Sequence, residues 1–167
     1  MNTLKAEKRS MDVKAKKLRR EGFVTGNLFG REIEGSIPLK FTKKEIEVLL
    51  KNNNKGSQVM LELDGKTYDA LIKEVDYNPL AHTVEEVDFQ ALVSNEMVHS
   101  TAEIILENEE KVMSGVLQDE LKEVAYKALP ADLVDKIKVD VAGMKIGDTL
   151  RVKDLEIAKN KNIHITT

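Results

Sequence analysis

VMLELDGKTYDALIKE, residues 59–74, is the stretch that sets the fold class. Val59, Leu61 and Leu63 alternate with polar residues, the period-two pattern of a half-buried strand. Asp64-Gly65 follows, a strong hairpin turn. Tyr68, Ala70, Ile72 and Glu74 continue the return strand, and Asn78-Pro79 breaks it. Residues 84–92 form another strand candidate.

Upstream of the hairpin, Thr42 and Glu45 have the spacing of a capping box. The helix they open carries Ile46, Leu49 and Leu50 and ends in residues 52–56. Residues 23–29 and 35–41 are strand-like, separated by Gly30, and Pro38 argues for an edge or irregular position. Residues 4–9 read as a short strand. Ser10 then offers an N-cap with Asp12 in the first turn, and residues 11–21 read as a helix closed by Gly22. Its apolar stripe is Met11, Ala15 and Leu18, at i, i+4 and i+7. Many short strands with two helices indicate a small closed or nearly closed sheet, not a βαβ layer.

Beyond residue 92 the character changes. Residues 1–92 hold 16 bases and 15 acids, whereas residues 93–167 hold 10 bases and 14 acids. A boundary is expected near residues 93–96, giving domains 1–92 and 93–167. Residues 98–106 read as a strand, and residues 121–129 as extended, with helix an alternative. Pro130 stops that segment, and residues 131–136 are expected to make one helical turn. Ile137, Val139 and Val141 alternate, and Gly147-Asp148 is a turn before Leu150 and Val152.

The chain has 167 residues, 41% apolar and 33% charged, as in an ordinary globular protein of one or two domains. There is no Trp, so the core must come from Leu, Ile, Val and Ala. There is no Cys, which excludes disulfides, thiolate metal sites and Cys nucleophiles. No apolar stretch has the length of a signal peptide core or a membrane span, so a cytosolic setting is expected.

Charge is distributed unevenly. The first twenty residues carry eight bases and two acids, while the other 147 carry 18 bases and 27 acids. A positive block on an acidic chain suggests a surface made for a polyanion. At physiological salt the Debye length is about 8 Å, so distant acids hardly weaken it. Lys14, Lys16, Lys17, Arg19 and Arg20 follow one another without an intervening acid. A face made only for solubility usually mixes signs to gain i,i+4 pairs. Membrane binding is the competing reading, but the stripe is small and lacks Trp or Phe, so nucleic acid is preferred. Phe29 offers a ring for base stacking, against the alternative of core packing. Asp88 faces opposite to Val87 and Phe89, and is either an exposed polar residue or an acceptor for a base amino group.

Catalysis finds no support in the residues. His82, His99 and His164 show no metal-ligand spacing, and no nucleophile elbow or phosphate-cradling glycine loop is present. Glu85-Glu86 and Glu109-Glu110 read as solvated surface acids. No enzyme activity, cofactor, metal or small-molecule substrate is expected.

Three sets of motifs run in order along the chain. The first set is Ala6-Glu7-Lys8-Arg9, Leu18-Arg19-Arg20-Glu21-Gly22 and Phe29-Gly30. The second is Asp64-Gly65-Lys66-Thr67-Tyr68, Leu71-Ile72-Lys73-Glu74-Val75, Asn78-Pro79 and Val87-Asp88-Phe89. The third includes Gly115-Val116-Leu117-Gln118, Ala128-Leu129-Pro130-Ala131-Asp132, Ile137-Lys138-Val139-Asp140-Val141, Ile146-Gly147-Asp148 and Val152-Lys153-Asp154-Leu155. In this order they resemble the bacterial large-subunit ribosomal protein L-twenty-five, or general stress protein Ctc, family in its long two-domain form, and the resemblance implies a mainly β fold: an N-terminal six-stranded β-barrel with short helices and a C-terminal mainly β domain. It implies that residues 1–92 bind 5S ribosomal RNA in the large subunit, beside other large-subunit proteins. Arg9, Lys16, Lys17 and Arg19 are then phosphate contacts. Lys14 and Arg20 join them from the helix pattern. Phe29 falls where the family has a Tyr near RNA, and Asp88 matches a base-edge contact.

The chain also departs from the family. Met11-Asp12-Val13-Lys14-Ala15 replaces a G-K-G, with shortened local spacing. Thr25 replaces a Pro, Asp76 a Gln and Glu86 a His. Ionised carboxylates repel phosphates and cannot donate hydrogen bonds. The alternative is therefore a stress-related paralogue with weak or no 5S rRNA binding, acting as a protein-interaction module.

Overall fold

The computed structural model describes residues 2–112 and 115–167. The chain divides into two compact units, Met1–Glu96 and Met97–Thr167.

The first unit is a closed six-stranded barrel. In chain order its elements are β1 (Asn2–Lys8), α1 (Ala15–Arg20), β2 (Phe23–Phe29), β3 (Ser36–Thr42), α2 (Lys43–Asn52), β4 (Gln58–Leu63), β5 (Lys66–Asn78) and β6 (Thr83–Ala91). Around the barrel the order is β1-β3-β2-β6-β5-β4. The β1–β4 and β2–β6 seams are parallel and the others antiparallel. Period-two alternation puts Val59, Leu61 and Leu63 of β4 inside, with Leu4, Leu28, Phe41, Ile72, Val87 and Phe89 from the other strands. Phe41 and Phe89 meet there at a ring-centroid distance of 5.4 Å, so the core is not the purely aliphatic one expected from the composition. Closure leaves no free sheet edge.

The 59–74 hairpin forms as read. Asp64 and Gly65 both take positive φ, 49° and 79°, as a tight two-residue hairpin turn requires. Thr42 caps α2 by accepting from the Glu45 N–H at 3.3 Å, and Ile46 and Leu49 join the barrel core. Gly26 lies where β2 passes closest to β6: a Cβ there would stand 2.0 Å from the Val87 carbonyl oxygen.

Two expectations are corrected. Residues 11–21 do not form one helix. Met11, Asp12 and Val13 lie in a turn and bend, where Ser10 Oγ accepts from the Asp12 N–H, and α1 starts only at Ala15. Met11 is 68% exposed, so the stripe reduces to Leu18, the one buried residue of the helix. One buried apolar side chain cannot offset the entropy of ordering three turns. Of the two positions expected for Pro38, edge or irregular, the free edge is ruled out. Pro38 pairs with Asn27 of β2, and the β1 ladder stops beside it at Leu39, with the Arg9 N–H closing onto the Pro38 carbonyl at 2.9 Å.

The second unit is a four-stranded sheet ordered β10-β8-β7-β9. Its strands are β7 (Val98–Glu107), β8 (Glu123–Ala128), β9 (Lys136–Asp140) and β10 (His164–Ile165). Residues 121–129 are therefore extended, not helical. The helical turn expected over 131–136 is instead a 3₁₀ turn at Pro130–Asp132, after which the backbone is extended at Leu133. Tyr126 explains this course. Its hydroxyl donates to the Val134 carbonyl and accepts from the Val134 N–H, both at 2.7 Å, so the chain must run straight past it. After Leu150 come a 3₁₀ turn, Val152–Asp154, and the four-residue helix α3 (Glu156–Lys159), which buries Ile157.

Candidate nucleic-acid interface

The cationic segment lies across the outside of β2. Leu18 is 4% exposed and anchors α1 to the barrel. At about 100° per residue, Lys16 and Arg20 lie opposite Leu18. Lys14, Lys16, Lys17 and Arg20 are exposed. Among the described residues none of these four has a carboxylate within ion-pairing distance. Other barrel lysines are engaged: Lys8 with Asp64 at 3.3 Å, Lys40 with Glu7 at 3.8 Å and Lys43 with Glu47 at 3.9 Å. Lys5 of β1 and Lys44 and Lys51 of α2 are also exposed without an ion pair among the described residues, but α1 and the residue before it gather four such cations between positions 14 and 20.

The two arginines expected to join this face sit deeper. Arg19 is half-buried, and its Nε donates to the Glu85 carbonyl at 3.1 Å while Nη2 donates to Thr25 Oγ1 at 3.1 Å. Arg9 is also half-buried and donates from Nη2 to the Val13 carbonyl at 3.4 Å, bracing the turn before α1. Its Nε is buried and has no hydrogen-bond partner among the described residues.

Beside α1, three strands bring alternate polar side chains to one barrel face. Register pairs Thr25 with Glu86 and Asn27 with Asp88 across β2–β6, and Asp76 with Glu86 and Glu74 with Asp88 across β5–β6. Asn27 Nδ2 donates to Asp88 Oδ1 at 3.3 Å. Partial burial pushes the Asp88 carboxyl above the usual carboxylate range, Asn27 pulls it back, and Asp76 and Glu74 push it further up. Glu86 is raised in the same way, by burial, Asp88 and Asp76, against the opposing pull of Arg19 and Arg9. These acids are a coupled cluster and not scattered surface charge. Glu85, read from the sequence as a solvated acid, instead accepts from Asn78 Nδ2 at 2.9 Å. Among the described residues, no group of three or more His, Cys, Asp or Glu could hold a metal ion.

Phe29 ends β2, half-buried and opposite Gln90. It is on the same strand as Thr25 and Asn27, four and two residues away, and so shares their face. The structure therefore gathers α1, Asn27, Phe29, Glu86 and Asp88 on adjoining elements. Asn27 was not singled out in the sequence, Thr25 only as a departure from a family pattern, and Glu74 only as a strand residue. The strand register that brings them together had no local signal.

Residues 4–89 match the ribosomal L25p family, and residues 97–167 match the C-terminal domain of ribosomal protein TL5. The chain is 33% identical over 160 residues to a large ribosomal subunit protein bL25 of Carboxydothermus hydrogenoformans, covering 90% of this chain and 80% of that protein. It is 31% identical over 160 residues to the bL25 of Akkermansia muciniphila, covering 93% and 79%. It is 29% identical over 151 residues to the bL25 of Thermoanaerobacter sp. strain X514, covering 89% and 75%.

Proposed function

The chain belongs to the ribosomal L25p family of large-subunit proteins, a family of ribosome constituents and not of enzymes, and we propose that it binds 5S ribosomal RNA there through α1 and the adjoining barrel face. One observation carries this reading: Lys14, Lys16, Lys17 and Arg20 are exposed on one short segment with no carboxylate partner among the described residues. In this reading the four cations neutralise phosphates and fix register. The Asp88 carboxylate, held by Asn27, accepts from a base amino group, and the Phe29 ring supports an unstacked base.

The test is a gel shift against 5S rRNA, with an unrelated duplex RNA of equal length as competitor. Wild-type protein is expected to shift 5S rRNA selectively, and the K16E/K17E double variant to lose at least tenfold in affinity. Equal affinity of the two proteins would remove α1 from the interface. The four carboxylates Glu74, Asp76, Glu86 and Asp88 favour a second reading, a stress-related paralogue that contacts protein instead of RNA. It requires that the protein not co-sediment with large subunits even at low salt.

A further inference from the structure

The geometry points to Arg19 as a positioning residue: its guanidinium fixes α1 on the barrel and is not itself a phosphate ligand. This rests on the 5S rRNA reading for its functional consequence, but not for its structural basis. Arg19 Nε reaches the carbonyl of Glu85 on β6, and Nη2 reaches Thr25 Oγ1 on β2, each at 3.1 Å. The Thr25 hydroxyl in turn donates to the same Glu85 carbonyl at 3.3 Å. Three groups from three elements form a closed triangle over the parallel β2–β6 seam. Thr25 is fully buried, so its hydroxyl is a fixed point and not a mobile surface group.

A guanidinium suits this place because it offers two N–H directions in one rigid plane. A lysine would bring the charge without the fork. Leu18 is the one buried side chain of α1, with Ala15 half-buried, and the N-cap, Lys14, makes no side-chain capping bond. A six-residue helix so weakly supported needs a tertiary tether to hold one orientation. Arg19 supplies it, and Lys16, Lys17 and Arg20 are presented in the direction the tether sets.

Two substitutions of equal charge separate tether from ligand. Lys17→Gln and Arg19→Gln each remove one positive charge. A lost phosphate contact lowers the magnitude of the log-log salt slope for 5S rRNA binding by about 0.7 to 0.9. Lys17→Gln is expected to do so. Arg19→Gln is expected to weaken binding about tenfold, through lost pre-organisation, with the slope unchanged. Thr25→Val, which alters no charge, should weaken binding with the same unchanged slope, and Thr25→Ser should restore it. A slope loss in Arg19→Gln equal to that in Lys17→Gln, or wild-type affinity in Thr25→Val, overturns the assignment.

A second measurement needs no RNA. In the free protein, the amides of Leu18 and Glu21, bonded to the Lys14 and Lys17 carbonyls, should exchange faster in Arg19→Gln and Thr25→Val. The barrel amides of Val87 and Phe89 should be unaffected, and Thr25→Ser should match wild type. Unchanged exchange in α1 in both variants removes the tether, whether or not the protein binds 5S rRNA. Failure of wild-type binding alongside faster α1 exchange removes only the RNA reading.

Discussion

Replacing Lys14, Lys16, Lys17 and Arg20 together by glutamine gives the sharpest numerical expectation. Each is exposed and lacks an ion-pair partner among the described residues, so little folded-state energy is lost with the charges. If each neutralises one phosphate, together they contribute a log-log salt slope of roughly −2.8 to −3.6. Raising salt from about 50 to 200 mM then weakens the wild-type protein on 5S rRNA by about 50- to 150-fold through these four contacts. The quadruple variant should lose this dependence, leaving only a shallow residual slope. Filter binding at four or five salt concentrations reads both slopes directly. Lys122→Gln is the control, because its ammonium is paired with Asp119 at 2.6 Å in the second unit, and it should not alter the slope. A quadruple variant with the wild-type slope would refute the reasoning. So would a wild-type slope shallower than about −1.

Other expectations concern the scaffold. Gly26→Ala drives a Cβ to 2.0 Å from the Val87 carbonyl oxygen, so the β2–β6 seam must part, costing about 3 kcal/mol or more in a urea titration followed by circular dichroism. Tyr126→Phe strands the Val134 N–H and carbonyl and should lower stability by about 1–3 kcal/mol, with faster amide exchange in β8 and β9 and none in the barrel. Glu86 and Asp88 have folded-state carboxyl pKa values raised above their ordinary range, so the folded barrel holds their protons more readily than the unfolded chain. Barrel stability should therefore rise as pH falls through those raised values and stop rising once pH is below the ordinary carboxylate range. Glu86→Gln should flatten this profile, raise the melting temperature at neutral pH and strengthen 5S rRNA binding. A melting temperature equal to wild type from neutral to mildly acidic pH would count against the acid cluster.

The barrel was legible where local chemistry and tertiary demand agree. Val59, Leu61 and Leu63 alternate, Asp64-Gly65 accepts positive φ, and the closed sheet buries the same residues that the alternation selects. Thr42 was equally readable, since capping is satisfied within one turn. The stretch over residues 11–21 was misread because Met11, Ala15 and Leu18 satisfy a helical period, yet Met11 lies outside α1 and only Leu18 is fully buried. What holds that stretch is long-range: Arg19 reaches Glu85, 66 residues away. Thr25, visible in the sequence only as a departure from a family pattern, turns out to supply the hydroxyl that Arg19 grips. The acids were visible singly, but their mutual repulsion follows from the β5–β6 register, which no local pattern encodes. In the second unit, the bonds of Tyr126 to Val134 and the four-residue α3 were likewise beyond periodicity, which needs two turns or more to show.

The absence of cysteine makes the most direct measurement simple. A single K14C substitution, carrying a tethered iron chelate that generates hydroxyl radicals, reports which RNA backbone lies beside α1. The same probe at Val48 of α2, 56% exposed, serves as the reference position. With the probe at residue 14, 5S rRNA should be cut over one short backbone segment that is protected when unlabelled protein is added in excess. Uniform cutting along the RNA, or the same pattern from residues 14 and 48, would contradict docking through the cationic segment.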